Sequence, residues 1–209
     1  MVVLQTPLEI GSISTLLSLD DFDVPHCLKR ISSLIVDGME SLTERTVPQL
    51  HKSVVDYLVS SRPHPDLRIN TTEQHHSLTT ACFKSIQRLT FNVGHTTTSY
   101  QRNEKIFPTY DETSSYKSFN DETSSYKDMT SSISQCIAYP CQWLGHHLEN
   151  GGELATLVPD VENFMMTQFL QWLEVLSLRG LVWLIAVSTL KILVKQIKVS
   201  IHHLTKYGY

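Results

Sequence analysis

Nothing in this 209-residue sequence reads as a phosphate-binding loop: Gly-x-x-x-x-Gly-Lys-Ser/Thr is missing, and none of the eight glycines is followed by lysine. Without that loop there are no backbone amides and no lysine placed to hold nucleotide phosphates. Serines are plentiful, yet none sits in Gly-x-Ser-x-Gly, so no strained nucleophile turn is present. Cysteine is scarce. Cys27, Cys82, Cys136 and Cys141 are too few and too scattered for a disulfide framework, which points to a reducing, cytoplasmic setting. The balance of charge is nearly even, with a net charge of −4 and a pI near 6.2, and gives no bulk reason to expect nucleic acid as partner. Long apolar runs are absent as well: the longest, GLVWLIAVSTL over Gly180–Leu190, falls short of the roughly 18–20 residues a membrane span needs. The first residues, MVVLQTPLEIGS, lack the basic start and apolar run of a signal peptide, and they begin mid-pattern, as a piece of a longer chain would.

What is present is helical periodicity. The stretch Phe169–Gly180, FLQWLEVLSLRG, places Phe169, Leu170, Trp172, Leu173, Leu176 and Leu178 mostly at three- and four-residue steps, with a glycine after the last. That pattern predicts a buried helix with a C-terminal stop, around which the rest is organised. Upstream, residues 8–19 predict a short helix, and Val24–Val36 a second with Pro25 in its tolerant first turn. Met39–His51 changes character and predicts a small hairpin, with Pro48 on an edge. Lys52–Val59 returns to helical spacing. A proline-marked break at Arg62–Pro65 precedes a longer helix over Thr72–Val93, capped by Thr71 or Thr72.

Residues 96–132 are rich in Thr, Ser, Asn and Asp, and the string DETSSYK occurs there twice, at Asp111–Lys117 and Asp121–Lys127. Two polar copies cannot build a solenoid, so this reads as a tandem duplication in a disordered loop; a pair of phosphorylation or docking sites is the sharper alternative. Helices resume at Pro140–Glu149, with proline near the first position and Asn150, Gly151 and Gly152 as the stop. After a short run over Glu153–Leu157, Pro159 begins the helix containing the central stretch. Beyond Gly180 the last helix is expected to run to about Lys206. Leu190, Val194, Ile197, Ile201 and Leu204 form its apolar stripe, and Lys191, Lys195, Lys198, His202 and Lys206 a separate basic one. Five such aliphatics contribute on the order of 1.5–3 kcal/mol each when buried, less than the ordering of the helix costs, so this helix must dock onto something.

Cys136, Cys141, His146 and His147 form a C-x4-C-x4-HH string, but cysteines five apart on a helix point about 140° away from each other, and the spacing matches no common zinc module. Buried cysteines and helix-end histidines are the expected use, with no metal and no cofactor. Trp143, Trp172 and Trp183 stand beside leucines and are expected in the core. The lysines Lys191, Lys195, Lys198 and Lys206 predict either a solvated outer face or a contact with an acidic protein or anionic lipid.

Four segments carry a family resemblance. Leu50–Leu58 reads LHKSVVDYL, Leu67–Phe83 reads LRINTTEQHHSLTTACF, Tyr139–Leu148 reads YPCQWLGHHL, and Phe169–Gly180 reads FLQWLEVLSLRG. In this order they resemble the segment that follows the NACHT module in fungal NACHT-containing STAND proteins, signalling NTPases with a nucleotide switch and a sensor array. There the motifs read LHKSFxDFL, FxIxxxxHHxxLAxxCL, YACRYWxxHL and FLxxxLLYWLEVLSLLG. Pro140 and Gly145 depart from the pattern and are expected to weaken or shorten their helix. With no phosphate loop, the family's NTPase activity does not carry over.

The resemblance implies a mainly α fold: a partial winged-helix-like unit (residues 1–60), a helical unit (61–95), the low-complexity linker (96–132) and a helical bundle (133–209) ending in the basic amphipathic helix. It implies a non-enzymatic relay segment whose Leu50, His51 and Leu58 pack against an upstream nucleotide module or another chain. His51 is expected to satisfy a backbone group inside the winged-helix core; contact with a nucleotide held by another module is the alternative. Neither nucleic acid nor a small-molecule substrate is expected. A peripheral membrane protein anchored by Gly180–Tyr209 is the second reading, and a non-functional gene-model remnant the third.

Overall fold

In a computed structural model the described residues are 2–20, 23–30, 50–60, 63–94, 133–152 and 155–207. Among them the fold is mainly helical and no strand occurs. The helices are α1 (Ile10–Leu17), α2 (Asp23–Arg30), α3 (Lys52–Val59), α4 (Thr71–Ile86), α5 (Gln135–Asn150), α6 (Val158–Asn163), α7 (Phe169–Leu178) and α8 (Val187–Tyr207). Widened π turns at Phe164–Gln168 and Val182–Ala186 lead into α7 and α8. The hairpin expected over Met39–His51 lies outside the described residues up to position 49; Leu50 holds an isolated bridge position. The DETSSYK copies and the rest of the expected linker also lie outside them.

The centre of the molecule is the pair α4 and α5. Ser85 reaches Cys136 and His75 reaches His147, so the two helices run antiparallel. On one side of the pair a core of Cys82, Phe83, Ile86, Leu144, Leu148, Phe164, Trp172, Val175 and Leu176 forms against α6, α7 and α8. Phe164 meets Trp172 edge to face, with ring centroids 5.5 Å apart at 80°, the arrangement that aromatic quadrupoles favour. On the other side α1 and α2 bury Ile13, Leu16, Val24 and Leu28 against Leu78, Ala81 and Tyr139.

The central stretch is buried as expected at Trp172, Leu176 and Leu178, and at Val175. Leu170 departs from the expectation and is exposed. Gly180, at φ 67°, closes the helix in the left-handed region that glycine enters without a steric penalty.

Three boundaries differ from the sequence reading. Asn70, not Thr71 or Thr72, caps α4: its Oδ1 accepts from the Thr72 and Glu73 amides at 3.2 and 3.5 Å. The same helix stops at Ile86 rather than Val93, because the following turn is tied elsewhere. Its Asn92 and Gly94 amides donate to the Glu174 carboxylate at 3.2 and 3.4 Å. The third difference is α5, which begins at Gln135 and carries Pro140 well inside it.

Neither Pro140 nor Gly145 shortens α5. Proline lacks the N–H that would bond the Cys136 carbonyl four residues back; the Ser85 hydroxyl donates to that carbonyl instead, at 2.7 Å. At Gly145 a Cβ would stand 2.5 Å from Thr189 Oγ1. Glycine there lets α8 approach α5 closely, and the local propensity cost is offset by packing.

Candidate interaction face and buried histidine cluster

α8 and the turn leading into it meet the core through Ala186, Thr189 and Leu193, all buried. The narrow Gly145 surface opposite Thr189 selects this small-residue face. Of the expected apolar stripe, Leu190 packs against the core while Val194 and Ile197 face outward, and the side chains of Ile201 and Leu204 lie outside the described residues. Val187, Val194 and Ile197 are 41%, 51% and 36% exposed, and Leu190 is half-buried. Trp183 and Leu184, in the preceding π turn, are 89% and 70% exposed, so Trp183 is not the core residue the sequence suggests.

The apolar and basic stripes are neighbours on the helix and share a groove. Val187, Leu190, Lys191, Val194, Lys195 and Lys198 line one open groove of about 690 Å3. At 100° per residue, Leu190, Val194 and Ile197 lie about 60°, 20° and 80° to one side of Val187 and Lys191, Lys195 and Lys198 about 40°, 80° and 20° to the other, so the lysines flank the apolar stripe. Lys206 belongs to α8; its side chain is outside the described residues.

Among the matched residues of the first motif, Leu50 and Leu58 are half-buried and His51 is exposed. His51 caps α3: its Nδ1 accepts from the Ser53 amide at 3.2 Å and lies 2.6 Å from Ser53 Oγ. It satisfies a backbone group, but at a surface rather than inside a core. The Leu58 carbonyl accepts from the Ile69 amide at 2.9 Å. α3 buries none of its side chains fully, which leaves Val54, Val55 and Leu58 half covered.

A second cluster lies between α4 and α5. Tyr139 Oη is 2.8 Å from His147 Nε2, and His147 Nδ1 is 2.9 Å from His75 Nδ1. The Gln5 amide donates to Tyr139 Oη at 3.3 Å, which ties the N-terminal segment to the same chain of bonds. His147 is completely buried. Its removal from water, then the neighbouring His75 and His146, push its pKa down to about 3. His75 is lowered too, by burial first and His146 second. Burial holds the Tyr139 hydroxyl well above its ordinary range. His146 stacks edge-on against His75, and His76 Nε2 reaches Thr156 Oγ1 at 2.9 Å.

The sequence places His75, His147 and Tyr139 on two helices but carries no signal that they meet. An antiparallel register of α4 and α5 would have brought them together, and only the contact pattern reveals that register.

The cysteine–histidine string serves separate tasks. Cys136 Sγ lies 2.6 Å from Ser134 Oγ, Cys141 is buried in the main core, and His147 is committed to Tyr139 and His75. Burial raises the thiols of Cys82 and Cys141 far above their usual range, which disfavours the nucleophilic thiolate. The Cys141 carbonyl accepts from Trp172 Nε1 at 2.9 Å. Among the described residues no group of three or more His, Cys, Asp or Glu is arranged to hold a metal ion, and no helix is long and apolar enough to cross a membrane.

Comparison of the chain with protein-family models, with curated proteins and with solved structures gives no match.

Proposed function

We propose that this chain is a non-enzymatic helical relay module of a NACHT-type signalling protein, acting through contacts with another protein module. The family assignment rests on the four ordered motifs from Leu50 to Gly180. The observation that carries the mode of action is the outward apolar face of α8. A well-packed core holds Trp183, Leu184, Val187 and Val194 in solvent on a helix that its other side fixes firmly in place. A contiguous apolar surface of this kind marks an interaction site. The half-covered face of α3, with Leu50 and Leu58, supplies a second contact next to the capping His51.

The test is co-expression of the full chain with a fungal NACHT nucleotide module, read by light scattering and by the release rate of a fluorescent nucleotide from that module. A stable complex with altered release is expected, with no NTP turnover by the chain alone. Absence of a complex together with unchanged release would remove this reading.

A further inference from the structure

The exposed residues of α8 and its leading turn, together with the half-buried Leu190, recur at a fixed alternation. Trp183, Val187, Leu190, Val194 and Ile197 follow steps of four, three, four and three, and the sequence continues the alternation at Ile201 and Leu204. A mean step of about 3.5 residues is the repeat of a coiled-coil seam. A solvent-facing helix needs no such repeat, and the fully buried residues are others: Ala186 in the leading turn, Thr189 and Leu193; of the seam residues named, Leu190 alone also packs against the core.

Deepening the relay reading and resting on it, we propose that this seam docks an acidic amphipathic helix of the partner protein in coiled-coil register. Charge selects the occupant. Lys191 and Lys198 stand one residue after the seam positions Leu190 and Ile197, where a coiled coil places its flanking charges, and Lys195 lines the same groove. No Asp or Glu occurs anywhere from Gly180 to Tyr209. A helix with aliphatic seam residues and flanking glutamates would fill the groove and face each lysine with an opposite charge. A second copy of this chain would bring lysine to lysine when antiparallel, and when parallel would set Lys191 and Lys198 against the positions of Ala186 and Leu193, which are buried in the core and offer no opposite charge. A lipid surface suits the lysines, but an interfacial helix keeps its basic residues on the face opposite its apolar one. Here the lysines border the apolar stripe on one side only, and the face opposite Val187 is buried in the core at Thr189, so the helix has no basic face to turn toward headgroups.

The experiment uses the full chain and a labelled designed peptide of about four heptads, with isoleucine and leucine at the seam and glutamate beside it, followed by fluorescence anisotropy. A matched peptide with lysine in place of glutamate, and vesicles of equal parts phosphatidylcholine and phosphatidylserine, run in parallel. Saturable binding of the glutamate peptide alone is expected. Val187→Glu with Val194→Glu should abolish it. Lys191→Glu with Lys198→Glu should weaken it about tenfold, since each exposed pair turns from attraction to repulsion, and should confer binding to the lysine peptide. All four positions are exposed, so circular dichroism should show unchanged helix content. Equal binding of both peptides, binding of vesicles but neither peptide, or self-association lost in the seam variants would each overturn the proposal. Failure of the peptide alongside a stable complex with the NACHT module would remove the seam assignment and leave the relay reading standing. The converse result would remove the family assignment and leave the seam.

Discussion

His75 and His147 face each other through their Nδ1 atoms at 2.9 Å, one histidine from each helix of the central pair. Only one proton fits between two ring nitrogens at that distance, so one ring must donate and the other accept. The same bond cannot form when both rings are imidazolium, because both nitrogens would then be donors.

Stability should therefore depend on pH in a defined direction. His147 is held neutral down to about pH 3 and His75 is also lowered, whereas unfolded histidine takes up a proton near pH 6.5. Below that point the unfolded chain binds more protons than the folded one. Stabilisation is complete above about pH 6.5 and falls as pH drops toward 3, by up to about 1.4 kcal/mol per pH unit for each proton taken up. Urea unfolding at several pH values checks this. His147→Asn should be less stable at neutral pH and show a flatter profile; an unchanged profile would remove the histidine account.

Gly145→Ala should destabilise the protein although alanine is the better helix former by about 1 kcal/mol. The new Cβ would meet Thr189 Oγ1 at 2.5 Å and Thr189 Cβ at 3.1 Å, an overpacking expected to cost about 1–3 kcal/mol. Thr189→Ala in the same chain should recover part of the loss. Thermal melting gives both values, and a rise in melting temperature for the single variant would contradict the close approach.

Ser85 and Pro140 should be coupled. Ser85→Ala removes the donor to the Cys136 carbonyl and is expected to cost about 1 kcal/mol. In a Pro140→Ala background the new amide can take that carbonyl, so the same serine change should cost clearly less. A double-mutant cycle in denaturant measures the difference, and strict additivity would show that the hydroxyl does not stand in for the missing N–H.

Glu174→Gln should loosen the turn after α4. Its two oxygens accept from the Asn92 and Gly94 amides, and charge on the acceptor strengthens such bonds. Faster hydrogen exchange at those two amides, with little change in the α4 interior, is the expected signature. Equal protection in both proteins would mean that the turn is held by packing of Gly94 on Leu178 alone.

Local chemistry made most of the helices legible. Lys52–Val59 matches its expected bounds, Pro159 opens α6, and Asn150 with Gly151 and Gly180 end α5 and α7 where helix stops belong. These features depend on side-chain spacing and backbone sterics within a few residues, and a sequence displays both directly. Pro140 shows where that reading fails. A proline inside a helix is locally unfavourable, and only a serine 55 positions earlier, on the neighbouring helix, makes it tolerable.

By itself, then, the sequence determined that the chain is mainly helical, where most of its helices stop, and that α8 carries both a seam-spaced apolar stripe and a set of lysines. Which face of α8 turns inward was decided by tertiary structure, because the close approach of Thr189 to Gly145 and the burial of Leu193 outweigh the larger side chains of the stripe. The meeting of His75, His147 and Tyr139 was decided there too. Contacts between residues 72 positions apart follow from helix register, and register is set by the whole packed core rather than by any single stretch of chain.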